Sequence, residues 1–350
     1  MVASCSDGGT SSTSSQNTDS PASTGEAGGS TVVAPPTTDP ATTSTGSVPP
    51  TETPGPASVR VLFAVNVQDF AHPDESAAIL DRLVSLHEGT GVAVDIYLTD
   101  DMARILSTKH PEVFSRLVAS PVVTISYHVR PPRPYGSGAD WLGLGAMTPD
   151  EQYSTVLRYE THAVDPVTGE TTDGPGGYRY VADLIGYLPP AAAAAPSDSG
   201  VASAVRAVYA DLGASFTVVH GRPAELGDVV GGLLVRPEQA EARLWEHPGE
   251  DPADILAPAL ETALGRGTAG LPFIGVKIHD NDFFATASAW TTVYVQDRRR
   301  PPWDPTLAAP LLTTEERDAM WTTYEDTVRL VAEREDLESL NLRDLLEAMG

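Results

Sequence analysis

The chain of 350 residues contains one cysteine, two lysines (Lys109 and Lys277) and no long apolar run. A single cysteine excludes a disulfide framework within the chain and any cysteine-based zinc site. Without a run of about 18 apolar residues there is no transmembrane helix. Positive charge is scarce: 22 Lys and Arg stand against 48 Asp and Glu, a formal net charge of −26. That balance argues against nucleic acid, whose phosphates need a basic face, and against docking on anionic lipid through charge. No glycine-rich phosphate loop of the P-loop or dinucleotide type is present, which argues against a nucleotide cofactor. No Gly-x-Ser-x-Gly elbow is present either, which disfavours a serine esterase of the α/β-hydrolase type. The preference for Arg over Lys is what a GC-rich genome produces and carries no functional inference.

Residues 1–57 hold 23 Ser or Thr, 8 Pro and 7 Gly, with no Lys, Arg or aromatic residue. Such a segment cannot bury enough apolar surface to offset its ordering entropy, so it is expected to be a disordered tether that spans distance rather than packs. At its start, Val2-Ala3-Ser4-Cys5 resembles the end of a bacterial lipoprotein signal, although no basic and no apolar region precedes Val2. The resemblance implies lipidation at Cys5 and an extracytoplasmic protein anchored to the cell envelope, with the membrane as partner only through that lipid. Residues 58–350 are long enough for one large domain with a substantial core.

Within that domain strands and helices alternate. Val59 to Val67 is an apolar run of the kind found in a strand covered on both faces, followed by an amphipathic helix over 75–88 that Gly89 and Gly91 end. Residues 92–99 and 122–129 are further strands, with helical pieces over 100–107 and 111–119 between them. Helices are expected over 149–163, 200–212, 252–264, 314–334 and 341–349, and strands over 215–220 and 271–278. Thr313 or Thr314 with Glu316 suits a capping box. Strands separated by helices signal βαβ units and a parallel sheet.

Ligands of parallel α/β folds bind beyond the carboxyl ends of the strands, so the polar residues there matter most. They are Gln68-Asp69, Thr99-Asp100-Asp101, His128, His220 and His279-Asp280-Asn281-Asp282. Histidine and aspartate recurring at strand ends is the pattern of a metal or acid/base site assembled from loops.

The segments Val65-Asn66-Val67-Gln68-Asp69-Phe70, Ile125-Ser126-Tyr127-His128-Val129-Arg130-Pro131-Pro132 and Val276-Lys277-Ile278-His279 resemble the polysaccharide deacetylase-like group of the glycoside hydrolase/deacetylase β/α-barrel superfamily. Val94 to Thr99 looks like that group's second strand. The resemblance implies an α/β fold, an irregular (β/α) barrel of seven strands over roughly 59–345. It further implies a divalent metal, zinc, held by Asp69 and His128, with His279 as the acid that protonates the leaving group. A carbohydrate or cell-wall glycan is the implied substrate. Two positions depart from the pattern: Gln68 stands where the family has its base, and Pro132 where it has a second histidine ligand. His72, Asp280 or Asp282 can supply the third ligand that zinc requires, and Asp280 or Asp282 a replacement base.

Three functions follow as alternatives. One is a metal-dependent hydrolase of carbohydrate amide or ester bonds, in which the ion polarises the carbonyl and activates water. The second is a non-catalytic carbohydrate-binding lipoprotein on the same fold, which Gln68 and Pro132 favour. The third is a glycosidase using Asp69 and an acid near 280 as its carboxylate pair. Tyr135, Arg130 and Trp141 are candidate substrate contacts, the aromatics by stacking on sugar rings. Glu160-Thr161-His162 reads as structural, because residues two apart cannot share a helix face. His87 and His110 read as surface residues on helices, His247 as part of an acidic loop, and Arg298-Arg299-Arg300 as a solvated loop.

Overall fold

The computed structural model describes residues 58–136, 140–193, 200–218, 225, 227–237, 240–265, 272–295 and 300–349. The expected tether over 1–57 with Cys5, and His220, Arg298 and Arg299, lie outside the described residues.

The chain runs β1 (Val59–Val67), α1 (Pro73–Thr90), β2 (Val94–Leu98), α2 (Asp100–Lys109), α3 (Pro111–Ala119) and β3 (Val123–His128). It continues with α4 (Pro149–Thr161), β4 (His162–Val164), β5 (Thr171–Pro175), α5 (Gly177–Ile185), β6 (Ala191–Ala193), α6 (Gly200–Leu212) and β7 (Phe216–Thr217). The last part is β8 (Val229–Val230), β9 (Leu233–Val235), β10 (Ala240–Arg243), α7 (Pro252–Gly265), β11 (Phe273–His279), α8 (Thr314–Glu333), β12 (Leu337–Ser339) and α9 (Leu342–Met349).

One sheet of 10 strands carries the fold, in the order β10-β11-β1-β2-β3-β6-β7-β9-β8, with β12 paired to β1. All pairs in it are parallel except β8 with β9. Among the described residues β10 and β8 do not pair with each other, so the sheet is a curled half-barrel. It has more strands than the seven expected, because β8, β9 and β12 are two- or three-residue pieces that leave no apolar run to read. The hairpin of β4 and β5 stands apart from the sheet.

Side chains alternate between the two faces of each strand. Val61, Phe63, Val65, Val67, Ile96, Leu98, Ile125, Tyr127, Ile274, Val276 and Ile278 share the large core with the helices. Leu62, Ala64, Tyr97, Ala191, Phe216 and Phe273 face the other way and form an inner cluster with Leu342 and Leu345 of α9. α9 thus plugs the amino-terminal end of the half-barrel. By the same alternation Asn66, His128, Arg236, Glu241, Arg243, Lys277 and His279 face the inside toward the carboxyl ends.

α1 begins behind Pro73, a residue pre-set for the first helical turn, and ends on Gly91 in the left-handed conformation at φ 73°. α8 has the expected capping box: Thr313 accepts from Glu316 N–H and Glu316 accepts from Thr313 N–H. His87 differs from expectation. It is fully buried, donating from Nδ1 to the Val92 carbonyl at 2.7 Å, with Nε2 accepting from the Tyr324 hydroxyl at 2.7 Å. Burial pushes its pKa down to about 4.

Candidate functional site at the carboxyl ends of the strands

At the end of β1 the chain turns into α1 around two buried carboxylates. Asp280, immediately after β11, accepts the backbone N–H of Gln68 (3.1 Å) and Asp69 (3.2 Å) and the Ser76 hydroxyl (2.8 Å). It is completely buried, and burial followed by the neighbouring Asp69 carboxylate pushes its pKa up to about 7. Asp280 therefore ties β11 to the β1–α1 turn, and the sequence expectation of a replacement base is corrected: its oxygens are engaged away from solvent.

Asp69 is also completely buried. Its Oδ1 accepts from His72 N–H at 3.0 Å and from His72 Nδ1 at 3.2 Å, and its Oδ2 accepts from Ala289 N–H at 3.0 Å. One oxygen thus holds the local turn at His72 and the other reaches across the chain to the Ala289 backbone. Gln68, in contrast, reaches sideways: its Oε1 accepts from Arg130 Nε at 2.6 Å and its amide nitrogen lies 3.4 Å from Asn281 Oδ1.

At the end of β3, His128 is buried with its ring 6.3 Å from that of Tyr97. The turn beyond it is fixed by Arg133, whose two terminal nitrogens donate to the two oxygens of Asp100 at 2.7 and 2.8 Å. Arg133 Nε lies 3.7 Å from Glu160. Glu160 also accepts the Tyr135 hydroxyl (2.5 Å), the Tyr209 hydroxyl (2.8 Å) and Tyr178 N–H (2.8 Å). Tyr135 is therefore buried in an interior network and is not a sugar platform, which corrects that expectation; Glu160 is structural, as expected. Gly177 closes the network. Its N–H donates to Asp100 at 2.9 Å, its φ is +67°, and a Cβ there would sit 2.5 Å from the Glu160 backbone. Asp101, beside this cluster, has its pKa raised to about 7 by burial and by Asp100. Trp141 is half-buried, donating to the Pro132 carbonyl at 2.8 Å and packed edge-on against Trp303, so it braces loops.

At the end of β11, His279 Nδ1 donates to Asp282 Oδ2 at 2.8 Å, and His279 N–H donates to the same oxygen at 2.9 Å. The imidazole ring lies 4.8 Å from the Trp245 ring. This half-buried His–Asp pair keeps a defined tautomer, with Nε2 as the second ring nitrogen. Asp282 thus orients His279.

Next to it lies a group of charges that the strand-end reading missed. Lys277, Glu241, Arg243 and Arg236 share the inner face of β11, β10 and the end of β9. Glu241 accepts from Arg243 Nε at 2.8 Å and lies 4.0 Å from Arg236. Its pKa is lowered: burial opposes the shift, and Lys277, Arg236 and Arg243 outweigh it. The legible signal was Lys277 itself, a charged residue inside an apolar strand.

The donors do not fit a bound zinc ion. Asp69 spends both oxygens on backbone N–H groups and His72, Gln68 is neutral, and Pro132 offers no donor. The partner of Gln68 is a cation, Arg130. Among the described residues no three His, Cys, Asp or Glu side chains gather as a metal would require. His72 and Asp282 thus act as partners of Asp69 and His279, which corrects their expected role as third ligand.

No family model matches the sequence and no curated protein sequence matches it. Solved structures do. The chain is similar to a 4-alpha-glucanotransferase from Thermococcus litoralis, at 10% identity and a TM-score of 0.50 over 83% of this chain and 40% of that one. It is also similar to a putative polysaccharide deacetylase from Mycobacterium smegmatis (13% identity, TM-score 0.48, 85% of this chain and 92% of that one). A probable polysaccharide deacetylase from Pseudomonas aeruginosa gives 12% identity and a TM-score of 0.49 over 84% and 92%. The chain spans less than half the length of the glucanotransferase, so that likeness concerns the fold alone. These likenesses concern the fold alone, an α/β half-barrel with a mainly parallel sheet.

Proposed function

We propose that this protein binds carbohydrate at the carboxyl ends of its strands and does not use the metal chemistry implied by the resemblance. The observation that carries this reading is the Arg130–Gln68 hydrogen bond of 2.6 Å, which puts a cation and a neutral amide where that chemistry needs a carboxylate base. Two half-buried tryptophans flank the position: Trp290, with the Arg130 guanidinium 4.6 Å from its ring centroid, and Trp245, against His279. Indole faces of this kind stack on the apolar faces of sugar rings while neighbouring polar groups take the hydroxyls. Binding of oligosaccharides to the wild type, and its loss in Trp245→Ala and Trp290→Ala variants that keep their fold, tests the reading. Undiminished binding by both variants would refute it.

A hydrolase of carbohydrate esters or amides is the second reading, and the His279–Asp282 pair favours it, since an oriented imidazole can protonate a leaving group. Release of acetate from acetylated oligosaccharides, lost in His279→Ala, would establish it.

Placement outside the cell membrane through a lipid on Cys5 belongs to the same proposal. It rests on Val2-Ala3-Ser4-Cys5 and the Ser/Thr/Pro-rich stretch that follows.

A further inference from the structure

We infer that the carbohydrate this site takes is anionic, a glycan of uronic acid units, whose carboxylate is received by Lys277 and the guanidinium groups around it. The inference deepens the carbohydrate reading and rests on it.

The first ground is the contrast between the site and the molecule. Carboxylates outnumber cations by more than two to one in the whole chain, 48 to 22. Around Lys277 the balance shifts toward cations: Arg130, Arg236 and Arg243 act on it together with Glu241, and Glu246 lies 3.5 Å from Arg243. Lys277 is also one of only two lysines in the sequence.

The second ground is placement. Lys277 is the register partner of Ala64 on β1 and of Arg243 on β10, so lysine and arginine stand side by side across neighbouring strands. Both project from the inner face, and Lys277 stands two residues before His279 along β11. A cation held among other cations by a fold is a costly arrangement unless an anion joins it. Lys277 shows the cost: burial lowers its pKa, Glu241 opposes this most strongly, and Arg130, Arg236 and Arg243 lower it further.

The third ground is the kind of surface that surrounds the charge. The Trp245 ring lies 5.9 Å from Lys277 Nζ and 6.0 Å from the Arg243 guanidinium, and Trp290 lies under Arg130. A ring face beside a cation suits a pyranose that carries a carboxylate on its edge: the sugar stacks while the acid pairs. Lysine and arginine together provide a point charge and planar forks, both of which hydrogen-bond to carboxylate.

The test is calorimetric titration of the full chain with oligogalacturonate, a neutral oligosaccharide of equal length and a sulfated one. Variants are Lys277→Met, Lys277→Arg and, as control, the exposed Lys109→Met, each checked for fold by circular dichroism and melting. The expected result is oligogalacturonate binding that weakens at least about tenfold in Lys277→Met, recovers in Lys277→Arg, is untouched in Lys109→Met and falls with salt. Equal binding of the neutral sugar, indifferent to Lys277→Met, would overturn the inference while leaving the carbohydrate reading intact. Preference for the sulfated sugar would overturn the assignment to uronate. Binding of none of the three would overturn the inference together with the carbohydrate reading.

Discussion

Arg130 Nε donates to Gln68 Oε1 at 2.6 Å, joining the turn after β3 to the end of β1 across the mouth of the half-barrel. The bond is charge-assisted, and it fixes the amide so that its nitrogen faces Asn281. An aspartate at position 68 would instead pair with Arg130 as an ion pair. Gln68→Asp combined with Pro132→His is therefore expected to leave zinc binding weak, because Asp69 remains occupied by His72 and Ala289. Metal content after dialysis measures this, and stoichiometric zinc in the double variant would contradict it.

Asp280 holds the β1–α1 turn through two backbone N–H groups and Ser76. Asp280→Ala leaves those buried donors without their acceptor, a loss of about 3 kcal/mol. Urea denaturation reads it. A variant as stable as wild type would show that the turn is held by other means.

Arg133 pairs with Asp100 inside the protein, with Glu160 beside it. Removing the cation in Arg133→Ala strands two buried carboxylates and is expected to cost about 3–5 kcal/mol. Arg133→Lys keeps the charge but not the two-pronged geometry, so it should recover only part of the loss. Melting temperatures of the two variants order these effects.

His87 gives a pH dependence with a definite sign. Its folded pKa of about 4 lies below the ordinary 6.5, so the unfolded chain takes up the proton first. The stability supplied by neutral His87 is complete above pH 6.5 and is lost as the pH falls toward 4, amounting to about 3 kcal/mol. The stability difference between wild type and His87→Phe should shrink over that window. A constant difference from pH 7 to 4 would contradict the burial assigned to His87.

The long strands were legible in the sequence because continuous apolar runs need no partner to be recognised: β1, β2, β3 and β11 fall within one or two residues of their expected places. β8, β9 and β10 were not legible, since two to four residues carry no period. The strand-end residues were found, but what they do was not. Asp69 and Asp280 are carboxylates at the right place, and only the geometry shows their oxygens turned onto backbone N–H groups. His87 was misread because a helix face covered by a second helix, α8, cannot be told from a solvated one when its residue is polar. The Lys277 cluster joins residues 236, 241, 243 and 277: the pairing of β10 with β11 sets Arg243 beside Lys277, and Arg236 comes within 4.0 Å of Glu241 from the end of β9.

Lipidation is checked by phase partition. The natural chain is expected in the detergent phase and Cys5→Ser in the aqueous phase, as loss of the acyl chains requires. Aqueous partition of both would contradict the anchor.

The most direct test of the central claim is oligosaccharide binding measured by calorimetry with and without a chelator, with released acetate assayed in the same samples. The account predicts binding that is indifferent to the chelator, is lost in the Trp245→Ala, Trp290→Ala double variant, and releases no acetate. Acetate release that the chelator abolishes would contradict it.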